Sequence, residues 1–287
     1  MPRIAIGTER GLHHLDGHVE LPGAVVGHVT AGWAVADGRL RSGSGWAEVE
    51  MPDTVQVTCV AATADGALAG TAGAHLLEVV GGNAAPVASF DDAATRPTWH
   101  TPWGGPPDVR SIAVAADGTV YVNVHVGGIL RRDDDGWYPT IDLHTDVHQV
   151  ITVDGLVLAA LGVGGLAVST DRGATWDRRT DGLHATYCRA VAVADDTVIV
   201  SASEGPAGHG AALYRTPLDR DAPFVRCSDG LPDWFEDNID THTLAAVGRH
   251  VFAGTRHGIV YQSEDAGQTW EELQDSLPPI RCIDVSG

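Results

Sequence analysis

Ser169–Trp176 reads STDRGATW, and Ser263–Trp270 reads SEDAGQTW. Ser, Asp, Gly, Thr and Trp hold the same places in both strings, yet together they form no known catalytic set. Their chemistry suits a turn. An Asp carboxylate accepts backbone N–H groups, Gly supplies a positive φ, and a Trp packs the far side against its neighbours.

Working outward, each string closes a longer repeat. Asp108 opens DVRSIAVAADGTVYVNVHVGGILRRDDDGWYPTI and Asp146 opens DVHQVITVDGLVLAALGVGGLAVSTDRGATWDRRT. Further units start at Ala24, Thr54, Ala185 and Asp240. Each unit has an apolar run, a DG-type turn, a second run, a Gly-rich turn, a third run, and a polar turn ending in an aromatic residue. That order predicts four short strands per unit, with no long helical period between them. The last residues, PIRCIDVSG, match only a first strand, and the N-terminal RIAIGTERGLHHLDGHVEL supplies strands two to four. Joining the ends makes seven units of about forty residues, the period of a propeller blade. The expectation is one all-β domain, a seven-bladed β-propeller of four-stranded blades. Blade boundaries fall at 280–287 plus 1–23, 24–53, 54–93, 103–142, 144–183, 184–232 and 237–278. Ile280–Val285 should pair with Ile4–Thr8 and so remove the open edges.

The two strings, with a degenerate RRDDDGW ending at Trp137, resemble the Asp-box or BNR repeat of sialidase, sortilin-type and photosystem-assembly-factor propellers. The resemblance implies that the box is the turn between third and fourth strands and that it carries no activity. It also brings sialidase-like glycosidase activity into view, with Tyr187 as nucleophile and Glu204 as its partner. The match to sialidases is poor, because their Arg-Ile-Pro segment and an assignable acid Asp are missing.

Composition narrows the partners. The chain has 287 residues, 18 basic and 38 acidic, for a net charge of −20, and every base is Arg. Such a surface repels phosphate backbones and anionic lipid, which disfavours nucleic-acid and membrane-surface binding. No apolar run reaches the length of a membrane span and the start lacks the pattern of a signal peptide, so the expectation is a cytoplasmic monomer. Cys59, Cys188, Cys227 and Cys282 show no CxxC spacing and read as free thiols. GxSxG, GxxxxGK[ST] and strand-to-helix GxGxxG signatures are absent.

The function of a propeller is sought where first strands begin and second and third strands join. Aligning first strands places Thr58, Arg110, His148, Cys188, His242 and Arg281 at one position. The joining turns add Glu9, Arg10, His75, His125, Glu204, His209, Arg256 and His257. Imidazole and thiolate are ligands for Zn, Cu and Fe, so His125, His148, Cys188 and His242 form a candidate metal set. Arg110, Arg256 and Arg281, with Glu9, Arg10 and His257, form a candidate site for a small anionic molecule. Metal-dependent hydrolase, lyase and oxidoreductase chemistries all stay open to such a funnel. The alternative is a non-catalytic scaffold that binds a protein or peptide on its rim, for which an exposed aromatic patch at Trp99, Trp103 and Trp234 would speak.

Overall fold

The computed structural model describes residues 2–286. Among them are seven four-stranded antiparallel sheets, six made of strands consecutive in the chain and one that joins the last strand to the first three. Their inner strands are Ile280–Ser286, Val26–Thr30, Val57–Thr63, Val109–Val114, Val147–Val153, Val191–Ala194 and Leu244–Val247. The sheets are the blades of a β-propeller. Helix is confined to Ala88–Asp91 and a 3₁₀ turn at Arg96–Thr98, and no helix among the described residues is long and apolar enough to cross a membrane.

Two compact units make up the chain. One comprises the residues up to Val26, Ala160–Ala167 and those from Arg178 onward; the other comprises Gly27–Ala159 and Val168–Asp177. In the first unit, Ile280–Ser286 pairs with Arg3–Thr8 from Arg3↔Ser286 to Thr8↔Ile280. Ile4, Ile6, Ile280 and Ile283 from that pair pack with Phe252 and Val260 of the preceding blade. In the second unit Phe90 centres the core, 5.2 Å from the Trp99 ring and 5.0 Å from Trp137. Trp99 is therefore buried, and it forms no exposed patch with Trp103 and Trp234.

Both repeated strings form the turn from third to fourth strand, in Leu166–Ser169 to Asp177–Arg179 and in Val260–Ser263 to Glu271–Gln274. Asp171 Oδ1 accepts from the Thr175 amide at 2.8 Å and Oδ2 from the Thr175 hydroxyl at 2.6 Å. Asp265 repeats this on Thr269 at 2.9 and 2.7 Å. Ser169 and Ser263 each accept the amide of the box glycine, at 2.7 and 2.9 Å. Gly173 and Gly267 have positive φ, and so do Arg172 and Ala266 before them. Trp176 reaches back to donate its indole N–H to the Thr140 carbonyl at 2.6 Å.

Two predictions arise here. Deleting residues 280–287 leaves Arg3–Thr8 with an open edge, so calorimetry should show loss of the cooperative transition or aggregation; a truncated chain that melts like its parent would contradict the closure. The second concerns acid. Hydrogen bonds from Thr175 and Ser169 pull the Asp171 carboxyl down to about 2 from an ordinary 3.8. Its stabilising charge is complete above the ordinary value and is lost as pH falls toward 2. Asp171→Asn should therefore lower Tm at neutral pH, with the difference from the parent closing between about pH 4 and 2. A pH-independent difference would show that the charge does not hold the turn.

Candidate functional site

The first strands carry their polar residues at an irregular point. Val57 pairs with Thr71 and Cys59 with Gly70, so Thr58 is an extra residue. Arg110 is likewise extra between Val109↔Val124 and Ser111↔Asn123, and Arg281 between Ile280↔Thr8 and Cys282↔Gly7. A β-bulge of this kind re-aims a side chain that strict alternation would send to the other face. The aligned position found in the sequence is thus a bulge in these three blades.

In the second unit the Arg110 bulge stands beside His125, whose ring centre lies 6.0 Å from that of His148. His125 follows the strand Val120–Val124, its amide donating to the Asp108 carbonyl at 3.1 Å, and its own carbonyl accepts the Val147 amide at 3.2 Å. Asp146 and His148 are two apart on an extended segment, which places both side chains on one face. Their atoms converge. Asp146 Oδ1 lies 3.3 Å from His125 Nε2 and 3.4 Å from His148 Nε2. The three ligand atoms fall within 4.8 Å of one another, the one such group of three or more His, Cys, Asp or Glu among the described residues. His148 is 1% and His125 3% exposed, while Asp146 is open at 23%. Below them Asn123 Nδ2 donates to the Val147 carbonyl at 3.0 Å and the Ser111 hydroxyl at 3.3 Å, bracing the inner strands.

The electrostatics of the group are unusual. His125 Nδ1 donates to Asp108 Oδ1 at 3.1 Å, leaving Nε2 to accept from Arg110 Nη1 at 3.0 Å. Burial alone would lower the His125 pKa, but the Asp108 and Asp146 contacts outweigh it and leave it raised. Burial would raise Asp146, yet its two imidazole neighbours hold it below the ordinary carboxylate range. Asp146 Oδ1 is buried and accepts no well-aligned hydrogen bond. A buried carboxylate oxygen facing two imidazole nitrogens is stabilised by a cation between them.

Other candidate residues lie elsewhere. In the first unit, Cys188 is fully buried, with its thiol pushed up to about 12 by burial, and His242 has a left-handed backbone, φ 68°. Neither joins the converging group, whose third member is Asp146. Arg281 forms an ion pair with Glu9, so its charge is met within the chain. Arg10 and Arg256 are exposed on turns, and His257 Nε2 is 3.1 Å from Glu236 and 3.3 Å from Asp237. Tyr187 accepts a 3.2 Å hydrogen bond from Arg189, which also binds Asp240 at 2.9 Å. Glu204 is exposed, its amide donating to the His209 carbonyl at 2.9 Å. Asp108 and Asp146 were missed in the sequence, although each opens its repeat two residues before the aligned Arg or His: DVR and DVH.

No family model matches the chain, and no curated protein does. Solved structures do. The chain is similar to the GH74 enzyme of Niastella koreensis, with a TM-score of 0.61 and 12% identity over 94% of this chain and 47% of that one. It is also similar to YCF48 from Cyanidioschyzon merolae, at 0.56 and 14% over 87% and 84%. BamB from Moraxella catarrhalis gives 0.54 and 15% over 92% and 80%. At these identities the likeness shows the propeller fold and nothing finer.

The cysteines yield a direct prediction. Burial pushes the thiols of Cys59, Cys188 and Cys227 up to about 12, and Cys282 is buried with them. All four should be silent to a thiol reagent in the native state near pH 8 and react together on unfolding. Rapid native modification of Cys188 would show an accessible thiolate in its place.

Proposed function

We propose that this chain is a metal-binding propeller in which His125, Asp146 and His148 hold a divalent transition metal and Arg110 receives a small anion beside it. The carrying observation is the spacing: 3.3 and 3.4 Å from Asp146 Oδ1 to the two Nε2 atoms. Ligands about 2.0–2.1 Å from a tetrahedral Zn²⁺ stand about 3.3–3.4 Å apart, the edge of that tetrahedron. The Asp146 oxygen between the two imidazoles supplies negative charge, and Asp108 on His125 Nδ1 sets the tautomer that leaves Nε2 able to ligate.

Two imidazoles and one carboxylate leave coordination positions open, the composition of sites that bind and polarise a ligand. With Cys188 outside the group, a soft Cu(I) site loses its thiolate, and Zn²⁺ or Fe²⁺ fits the donors better. Arg110 donates to His125 Nε2. Ligation of that nitrogen would turn one guanidinium N–H toward an anion at the neighbouring position. A sialidase-like reading through Tyr187 and Glu204 gains no support from Tyr187, whose hydroxyl is engaged by Arg189.

Metal-stripped protein titrated with Zn²⁺ in a calorimeter should bind close to one equivalent. His148→Ala and Asp146→Asn should each weaken binding by well over tenfold, and Asp108→Asn by about 10- to 100-fold. Arg110→Gln should keep the metal and lose the effect of added anion. Wild-type protein that retains no Zn²⁺ or Fe²⁺ after gentle dialysis would defeat the reading.

A further inference from the structure

A second site lies in the first unit, on residues that the metal reading does not use. The loop carrying Trp234–Asn238 is pinned at two points. The Phe235 amide donates to the Ala211 carbonyl at 2.9 Å, and Asn238 Nδ2 reaches the Gly205 and Pro206 carbonyls at 3.3 Å each. Facing it is the turn Thr255–Ile259, closed by the Thr255 amide on the Ile259 carbonyl at 2.9 Å and the Ile259 amide on the Thr255 hydroxyl at 3.1 Å. Between them is a partly open cavity of about 140 Å³. Both walls are held before any ligand arrives, which lowers the cost of binding.

The lining is aromatic within and acidic at the rim. Phe235 and Tyr261 are buried and meet edge to face at 5.6 Å, and Trp234 is 45% exposed. The chain's own Arg226 stacks on the Trp234 ring at 3.9 Å and the His184 ring lies 4.8 Å from it, while the remaining surface of Trp234 lines the cavity with Phe235 and Tyr261. Glu236 and Asp237 add two carboxylates, and the chain's own His257 sits 3.1 and 3.3 Å from them. The two rim carboxylates disfavour an anion, and a wholly apolar ligand would strip water from them without replacing it. A flat cation with several N–H donors satisfies both parts: its face lies on the aromatic walls and its edge meets the acids.

We propose that this cavity binds a guanidinium group, either of a free guanidino compound or of an arginine side chain on a partner polypeptide. The group stacks against the aromatic walls and donates to Asp237 and Glu236. His257 is the internal competitor for the same two carboxylates. The overall charge of −20 favours the approach of a cationic ligand.

The test uses the full chain, with the Trp234 indole N–H followed by NMR. Methylguanidinium should shift it saturably, and neutral methylurea of similar shape should bind at least about tenfold more weakly. Glu236→Gln and Asp237→Asn should each weaken methylguanidinium severalfold with Tm unchanged, and Asp221→Asn, a control on another loop, should not. A capped Gly-Arg-Gly peptide binding at least as tightly as methylguanidinium assigns the group to a partner's side chain. A peptide that is excluded while methylguanidinium binds assigns it to a free compound. Equal response to methylurea, an unaltered response when Glu236→Gln and Asp237→Asn are combined, or no saturation by about 100 mM would overturn the proposal.

Discussion

The pairing of the two chain ends is the constraint on which the rest of this protein depends. Six residue pairs join Ile280–Ser286 to Arg3–Thr8, supplying an inner strand that the N-terminal segment lacks. Without it Arg3–Thr8 would present a row of unpaired N–H and C=O groups, an invitation to aggregation. The approach is close. A side chain at Gly7 would collide with the Cys282 sulfur, whose thiol donates to the Val26 carbonyl at 3.7 Å. Cys59 repeats the arrangement, opposite Gly70 and 3.7 Å from the Val109 carbonyl. These cysteines act as small buried residues with a weak S–H donor, a role that needs no redox chemistry.

The bulges at Thr58, Arg110 and Arg281 reconcile a packed inner strand with polar side chains. Burying such groups without partners is costly, and each has one. Thr58 donates to the Val109 carbonyl at 2.5 Å, Arg281 meets Glu9, and Arg110 meets His125. Among these, only Arg110 is paired with an imidazole that is itself faced by carboxylates, Asp108 at 3.1 Å and Asp146 at 3.3 Å. That difference separates a structural ion pair from a group with chemistry available to it.

The metal reading and the guanidinium reading use one physical rule in two settings. A buried carboxylate oxygen between two imidazole nitrogens, as at Asp146, suits a small hard charge in a fixed geometry. Exposed carboxylates beside aromatic walls, as at Glu236 and Asp237, call for a larger, weakly hydrated cation. The cationic ligands of both readings suit a chain whose net charge is −20.

The repeat of STDRGATW and SEDAGQTW, with the DG turns and apolar runs around it, determined the blade count, the four strands per blade and the joining of the ends. Those are properties of local order and period, and a chain displays them along its length. It also displayed Arg110 and His148 at the matched first-strand position and His125 in a joining turn. The third member of that cluster it did not reveal. Asp146 stands two residues before His148, on the same strand face, but its meeting with His125 depends on Val126↔Asp146 bridging between neighbouring blades. Cys188 and His242 share the aligned position and join no such group, because a register position says which residues are equivalent and not which atoms meet. Likewise nothing local linked Trp234 and Asp237 with Tyr261. Convergence of that kind is made by blade packing and bulge geometry, which act between segments far apart in the chain, and only the tertiary structure decides it.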